Sequence, residues 1–140
     1  MKNVKFTNNS QRIKAQFDIN SLNFLIEAKE SLASQTARNT KRVTGQLADS
    51  FSSDSLVDES KGIAYIGSSV EYAPYYEMGT GEHALLGNGR KGGWVYRDIK
   101  TGKLIFTKGS QPKRPLYRAY IQKKEIIKKR ARDVLGENLK

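Results

Sequence analysis

Asn20-Ser21-Leu22-Asn23-Phe24-Leu25-Ile26 opens the stretch that decides the fold, and Gln46-Leu47-Ala48-Asp49-Ser50-Phe51 closes it. Between them Leu22, Leu25, Ala28, Leu32, Thr36, Val43, Leu47 and Phe51 recur at spacings of mostly three or four. That is the period of an apolar stripe along one helix face. Asn20 is a good N-cap, and Ile19 and Phe24 hold the two positions of a hydrophobic staple. The spacing predicts one long helix from Asn20 to about Ser50. Gly45 is its one weak point, at a cost of about 1 kcal/mol against alanine.

Upstream, Ile13, Ala15, Phe17 and Ile19 alternate with polar residues over Arg12 to Ile19, the period of a half-buried strand. Met1 to Gln11 is polar and expected to be flexible. Downstream, Ser52 to Lys61 reads as an acidic loop carrying Asp54, Asp58 and Glu59. Gly62 to Val70 reads as a strand with Ile63, Tyr65 or Ile66, and Val70 as core candidates. Tyr72 to Met78 is one or two helical turns stopped by Gly79-Thr80-Gly81. Glu82 to Gly93 is expected to be a mobile glycine-rich basic loop. Trp94 to Asp98 and Lys103 to Lys108 flank Ile99-Lys100-Thr101-Gly102 and predict a β-hairpin. Pro115 opens a last helix, Leu116 to Leu135, with Gly136 as its stop. Its core stripe is Leu116, Tyr120, Ile127, Ala131 and Val134. The expected class is α+β: a small antiparallel sheet with a β-hairpin, packed against a long N-terminal helix and a C-terminal helix.

At 140 residues and 15.8 kDa the chain is the size of a single domain, 1–140. Apolar residues are 37 %, and mean hydropathy is −0.65. Apolar runs are no longer than a few residues, such as Ile63 to Ile66, so neither a membrane span nor a signal peptide is expected. The chain has no cysteine, which excludes disulfides, thiol catalysis and cysteine-based zinc sites. Net charge is +11, with a pI near 9.9. Residues 111–140 carry +7 of it. Such a field attracts nucleic acid, acidic protein surfaces and membrane phosphate alike.

Catalytic signals are weak. Gly87-Asn88-Gly89-Arg90-Lys91-Gly92 matches G-x-G-x-x-G, but it leads into a strand where a dinucleotide site needs a helix. A flexible basic loop explains it better. His83, the one histidine, stands beside Glu82; two adjacent residues do not make a metal site. The usual nucleophile–base triads would have to use that histidine. Asp54, Asp58 and Glu59 are grouped, as loop acids often are, to be solvated. No catalytic residue, metal or cofactor is therefore expected, and no enzymatic activity.

Two surfaces are more informative. Lys124, Lys128 and Arg132 stand at i, i+4 and i+8 on one face of the last helix. The row fits a phosphate backbone, an acidic partner, or plain solvation near a helix C-terminus. Tyr72, Tyr75 and Tyr76 surround Pro74, and fit either core or interface. A non-sequence-specific nucleic-acid-binding protein using its basic C-terminal helix is one reading of this charge.

A second reading comes from four motifs in order. Val70 to Gly81, with Tyr72-Ala73 and Glu77-Met78-Gly79-Thr80 inside it, resembles the signature of the gene-ten-like family of HK-type siphophages, the small proteins of the head–tail connector, neck and tail-completion region. Thr44 to Phe51 resembles that family's threonine–glycine–x–leucine–x–x–serine stretch. Gly87 to Tyr96 is similar to an insertion in members from Gram-positive phages. Gln111 to Ala119 resembles its proline–x–arginine–proline–phenylalanine or leucine motif opening the last helix. The resemblance covers roughly residues 20 to 135. Asp49 departs from it, standing where a basic residue is commoner.

The resemblance implies a virion protein of a phage or prophage, made in the host cytoplasm and assembled as a ring at the neck or tail. Its implied partners are connector or head-closure proteins, tail-terminator proteins, copies of itself, and non-specifically the phage DNA, with no membrane, catalytic residue or cofactor. The family-motif positions are Tyr72, Tyr76, Glu77, Gly79, Thr80 and Pro115, with Lys124, Lys128 and Arg132 as a basic interface. Tyr72, Glu77 and Thr80 are expected to hold the turn after the short helix. The acidic loop Asp54 to Glu59 is expected to meet a basic surface of the next copy.

Overall fold

A computed structural model of the protein describes residues 10–137, and the expectation for Met1 to Gln11 lies almost wholly outside them. The class is α+β, as the pattern predicts. Four helices, α1 (Ser10–Asn39), α2 (Gln46–Asp54), α3 (Ala73–Met78) and α4 (Pro115–Glu137), are joined by two separate antiparallel hairpins. These are β1 (Leu56–Asp58) with β2 (Ile63–Tyr65), and β3 (Trp94–Arg97) with β4 (Leu104–Thr107). The expected single small sheet is thus two two-stranded ones.

α1 starts ten residues before Asn20, so the strand over Arg12 to Ile19 is a helix. Four alternating apolar residues are too few to outweigh a segment of strong helix formers without glycine or proline. Asn20 is inside the helix and accepts a hydrogen bond from Gln16 Nε2 at 3.0 Å rather than capping the start. Gly45 does more than weaken the long helix. It adopts φ +83°, and α1 ends at Asn39 while α2 starts at Gln46. Only glycine takes that conformation without a Cβ clash. The break lets α2 fold back on α1, and it leaves Val43, expected in the core stripe, 74 % exposed on the turn.

α1 and α4 pack antiparallel. The Asn39 side chain donates to the Pro115 carbonyl at 3.1 Å and to Gln122 Oε1 at 2.9 Å. Twelve residues earlier, Glu27 pairs with Arg130 at 3.2 Å. In this register α4 reaches back to about Asn20. The first turns of α1 therefore run roughly 15 Å further, with Phe17 and Ile19 in solvent.

The buried core is built largely from small side chains: Ala28, Ala33 and Thr36 of α1, Ala48 of α2 and Ala119 of α4, with Leu47, Phe51 and Pro115. Small residues let helix axes approach closely. The hydroxyls of Thr36 and Thr40 cost little because each has a partner, whereas Ser21 Oγ is buried without one. Thr36 Oγ1 donates to the Leu32 carbonyl at 2.7 Å, and Thr40 Oγ1 to the Thr36 carbonyl at 2.8 Å. Two more expected core residues, Ile63 and Tyr120, are exposed instead, and of the alternatives Tyr65 and Ile66 it is Ile66 that is half-buried.

The acidic loop is the end of α2 plus the β1–β2 turn. Asp54 accepts from the Ser69 amide at 2.9 Å and the Ser69 hydroxyl at 2.8 Å. Asp58 accepts from the Ser60 hydroxyl at 2.6 Å and from the Ser60 and Lys61 amides at 3.0 and 3.3 Å, closing the hairpin turn. The strand expected over Gly62 to Val70 is short for a related reason. Beyond Tyr65 the amides of Gly67, Ser69 and Val70 donate to side chains of Ser55, Asp54 and Ser68 rather than to a neighbouring strand. At the other end α4 runs through Gly136 to Glu137, so that glycine is not a stop.

The predicted β3–β4 hairpin forms in register Trp94↔Thr107 to Arg97↔Leu104, with Gly102 at φ +71° in its turn.

Candidate functional site

The residues singled out by motif meet at a structural joint. Glu77 leaves the last turn of α3 and places Oε2 2.9 Å from the Leu116 amide and Oε1 3.0 Å from the Tyr117 amide. Both are amides of the first turn of α4, which have no acceptor within the helix. A carboxylate there also faces the positive end of the helix dipole. Pro115, buried, fits the first helical position because its missing N–H needs no partner. Tyr76 links the same joint to α1. Its hydroxyl accepts from the Lys41 amide and its carbonyl from the Lys113 amide, both at 3.0 Å. Arg118 completes it, donating through Nη2 to the Asn39 carbonyl at the end of α1 (2.8 Å) and through Nε to the Lys113 carbonyl (3.1 Å). Glu77 thus caps α4 rather than holding the turn after α3.

Thr80 holds a different contact. Its amide donates to the Ser110 carbonyl at 3.0 Å, and its hydroxyl accepts from the Ser110 amide at 2.8 Å. The Glu82 amide adds a bond to the Lys108 carbonyl at 2.9 Å. These contacts bring Gly81, Gly89 and Gly109 backbone to backbone. A Cβ on Gly81 would overlap the Lys108 carbonyl, one on Gly89 the Gly81 carbonyl, and one on Gly109 the Thr80 carbonyl. At Gly79 it would lie 2.9 Å from both the His83 carbonyl and Pro112 Cδ. Of the G-x-G-x-x-G match only Gly89 lies at this crossing, a Cβ on Gly87 or Gly92 would meet nothing within 4 Å, and no helix follows them. Tyr72 stands apart, half exposed beside the turn between α1 and α2.

His83 is exposed, with Nδ1 3.0 Å from Gln111 Nε2. Glu82 Oε1 accepts from the Gly92 amide at 3.2 Å. Among the described residues no group of three histidine, aspartate or glutamate side chains is placed to hold a metal ion. No helix among them is long and apolar enough to cross a membrane.

The feature with the strongest chemical character is apolar. Pro74, Tyr75, Met78, Ala84, Leu86 and Trp94 line an open groove of about 570 Å3 floored by the glycine crossing, with Arg90 on its rim 5.8 Å from the Trp94 ring. Tyr75 and Leu86 are largely in solvent. Trp94 belongs to the β3–β4 hairpin, and on the opposite face of that hairpin Val95, Leu104 and Phe106 stand together. That face is open: Leu104 is 67 % exposed, Val95 and Phe106 are similarly bare, and Ile99 at the turn is fully exposed. The hairpin has no extended packing against any helix or other strand. Its sequence carried the signal, since Trp94-Val95-Tyr96 and Leu104-Ile105-Phe106 are apolar on both faces with no polar alternation.

The basic residues lie elsewhere. Lys128 and Arg132 are exposed on α4, and Lys124 lies half-buried with its ammonium 5.6 Å from the Tyr120 ring centroid. Arg114, which no sequence motif flags for strain, is the one non-glycine residue at positive φ among those described, +54°. Its guanidinium stacks 3.9 Å from the Tyr117 ring centroid. Comparison with protein-family models, with curated proteins and with solved structures found no match for this chain.

Proposed function

We propose that this chain is a non-enzymatic structural subunit of a tailed phage or prophage virion, assembling with copies of itself and with neighbouring neck or tail proteins at the head–tail interface. The observation that carries an assembly role is the distribution of apolar surface. The core closes on Leu47 and Phe51 with small alanines and threonines, while Tyr75 and Leu86 at the groove and Val95, Ile99, Leu104 and Phe106 on the hairpin stand largely in solvent. Clusters of exposed large apolar side chains mark interaction sites. A two-stranded hairpin is also marginal by itself in water and gains by being covered. The neck assignment rests on the four motifs between about residues 20 and 135.

A head-to-tail ring suits a molecule with a projecting hairpin and a groove beside its base, because heterologous contacts join two different patches. The groove and the hairpin offer such patches. The acidic turn offers less than its composition suggests, because Asp54 and Asp58 are engaged by local serines. Electron microscopy of a lysate lacking only this protein tests the assignment. Filled heads beside separate tails are expected; normally joined virions would overturn it.

A further inference from the structure

We infer that the outer face of α4 is a binding site for the phosphate backbone of nucleic acid, a role beyond the assembly reading and independent of it. Lys124, Lys128 and Arg132 follow one another at four-residue steps, so their Cα atoms span about 12 Å along one side of the helix. Among the described residues none of the three makes an ion pair. Between residues 114 and 133 the chain carries eight Lys and Arg against two Asp and Glu, so this stretch is strongly basic, with the exposed Glu125 an acid near the row. Tyr117 and Tyr120, each about half exposed, stand among these cations with Arg114 and Lys124 over their rings. Tyrosine hydroxyls and basic side chains are the groups that contact phosphate oxygens in nucleic-acid complexes.

The occupant is external to this chain because a second copy carries the same net charge of +11. Glu77 caps α4, Asp54 and Asp58 hold serines, and Asp49 and Glu27 are paired with arginines. A second copy therefore brings an excess of positive charge to the row rather than a negatively charged partner. A phosphate backbone does, with a charge about every 3.4 Å along each strand.

The test is titration of the full-length protein against a short fluorescent DNA duplex of mixed sequence, between about 50 and 200 mM salt. Wild type is compared with Lys124→Gln/Lys128→Gln/Arg132→Gln. A control carries the same charge loss at Lys61→Gln/Lys100→Gln/Lys103→Gln, on the two hairpin turns. Wild type is expected to bind with an affinity that falls steeply with salt. The α4 variant should lose about 2.7 from the slope of log affinity against log salt, at about 0.9 per phosphate contact. The control should keep most of its slope, and all three proteins should melt alike. Absence of wild-type binding at the lowest salt would overturn the inference. So would equal losses in both variants, which would leave only diffuse charge attraction. A third contrary result is an α4 variant that binds DNA as wild type does but loses self-association, which would give the face to a protein partner. None of these outcomes bears on whether the protein joins heads to tails.

Discussion

The α1–α4 joint and the β3–β4 hairpin treat their side chains in opposite ways. At the joint, Ala33, Thr36 and Ala119 are buried, and the polar groups of Asn39, Glu77 and Arg118 all have partners. Along the hairpin, valine, leucine and phenylalanine face water. The joint is finished within one chain; the hairpin is finished only when something covers it. The difference teaches that hydrophobicity alone does not locate the core here. Several of the larger side chains stand on a surface, while the fold is held by Leu47 and Phe51 with small residues between the helices, by capping and by the glycine crossing.

Substitutions separate the two regions. The largest loss of stability is expected at the glycine crossing between them. Gly81→Ala places a methyl group on the Lys108 carbonyl at φ +61°, and should cost more than about 3 kcal/mol by chemical denaturation. A cost below about 1 kcal/mol would show that the crossing relaxes freely. At the joint, Glu77→Ala should cost about 1–2 kcal/mol, the value of a helix cap, and Glu77→Gln less because one acceptor remains. The exposed Arg42–Asp49 pair, at 2.9 Å, should matter less: Asp49→Ala is expected to cost under about 1 kcal/mol, shrinking in high salt.

Acid titration should add a small effect. The Ser69 amide holds the Asp54 carboxyl below its usual range, and the Ser60 hydroxyl does so for Asp58. A carboxyl lowered in the folded state stabilises the protein above its unfolded pKa, about 3.9. That stabilisation is lost as the pH falls through the folded value. Asp54→Asn/Asp58→Asn should therefore show a flatter decline in melting temperature below about pH 4 than wild type. The smallest effect on stability is expected at the hairpin, where Val95→Ser, Leu104→Ser and Phe106→Ser should each stay within about 0.5 kcal/mol.

The sequence made the class legible, through the helix stripe from Leu22 to Phe51 and the Gly102 hairpin turn. It also located Glu77 and Pro115 in motifs, though not the capping bonds from the Leu116 and Tyr117 amides to Glu77, because they join residues about forty positions apart. The break at Gly45 was misjudged since an apolar period can cross a turn. Leu47 and Phe51 keep the spacing of α1 while belonging to α2. Arg12 to Ile19 misled because alternation over so few residues fits either period. The glycine crossing and the exposure of the hairpin depend on which segments meet in space, and only the run of apolar residues on both strands hinted at the second.

The most direct measurement is complementation of the lysate lacking this protein with the Val95→Ser/Leu104→Ser/Phe106→Ser variant, after its melting temperature has been matched to wild type. If the hairpin is reserved for assembly, the wild-type protein restores joined virions, and the equally stable variant leaves heads and tails apart. Full restoration by the variant would contradict the account, since the exposed apolar face would then have no partner to serve.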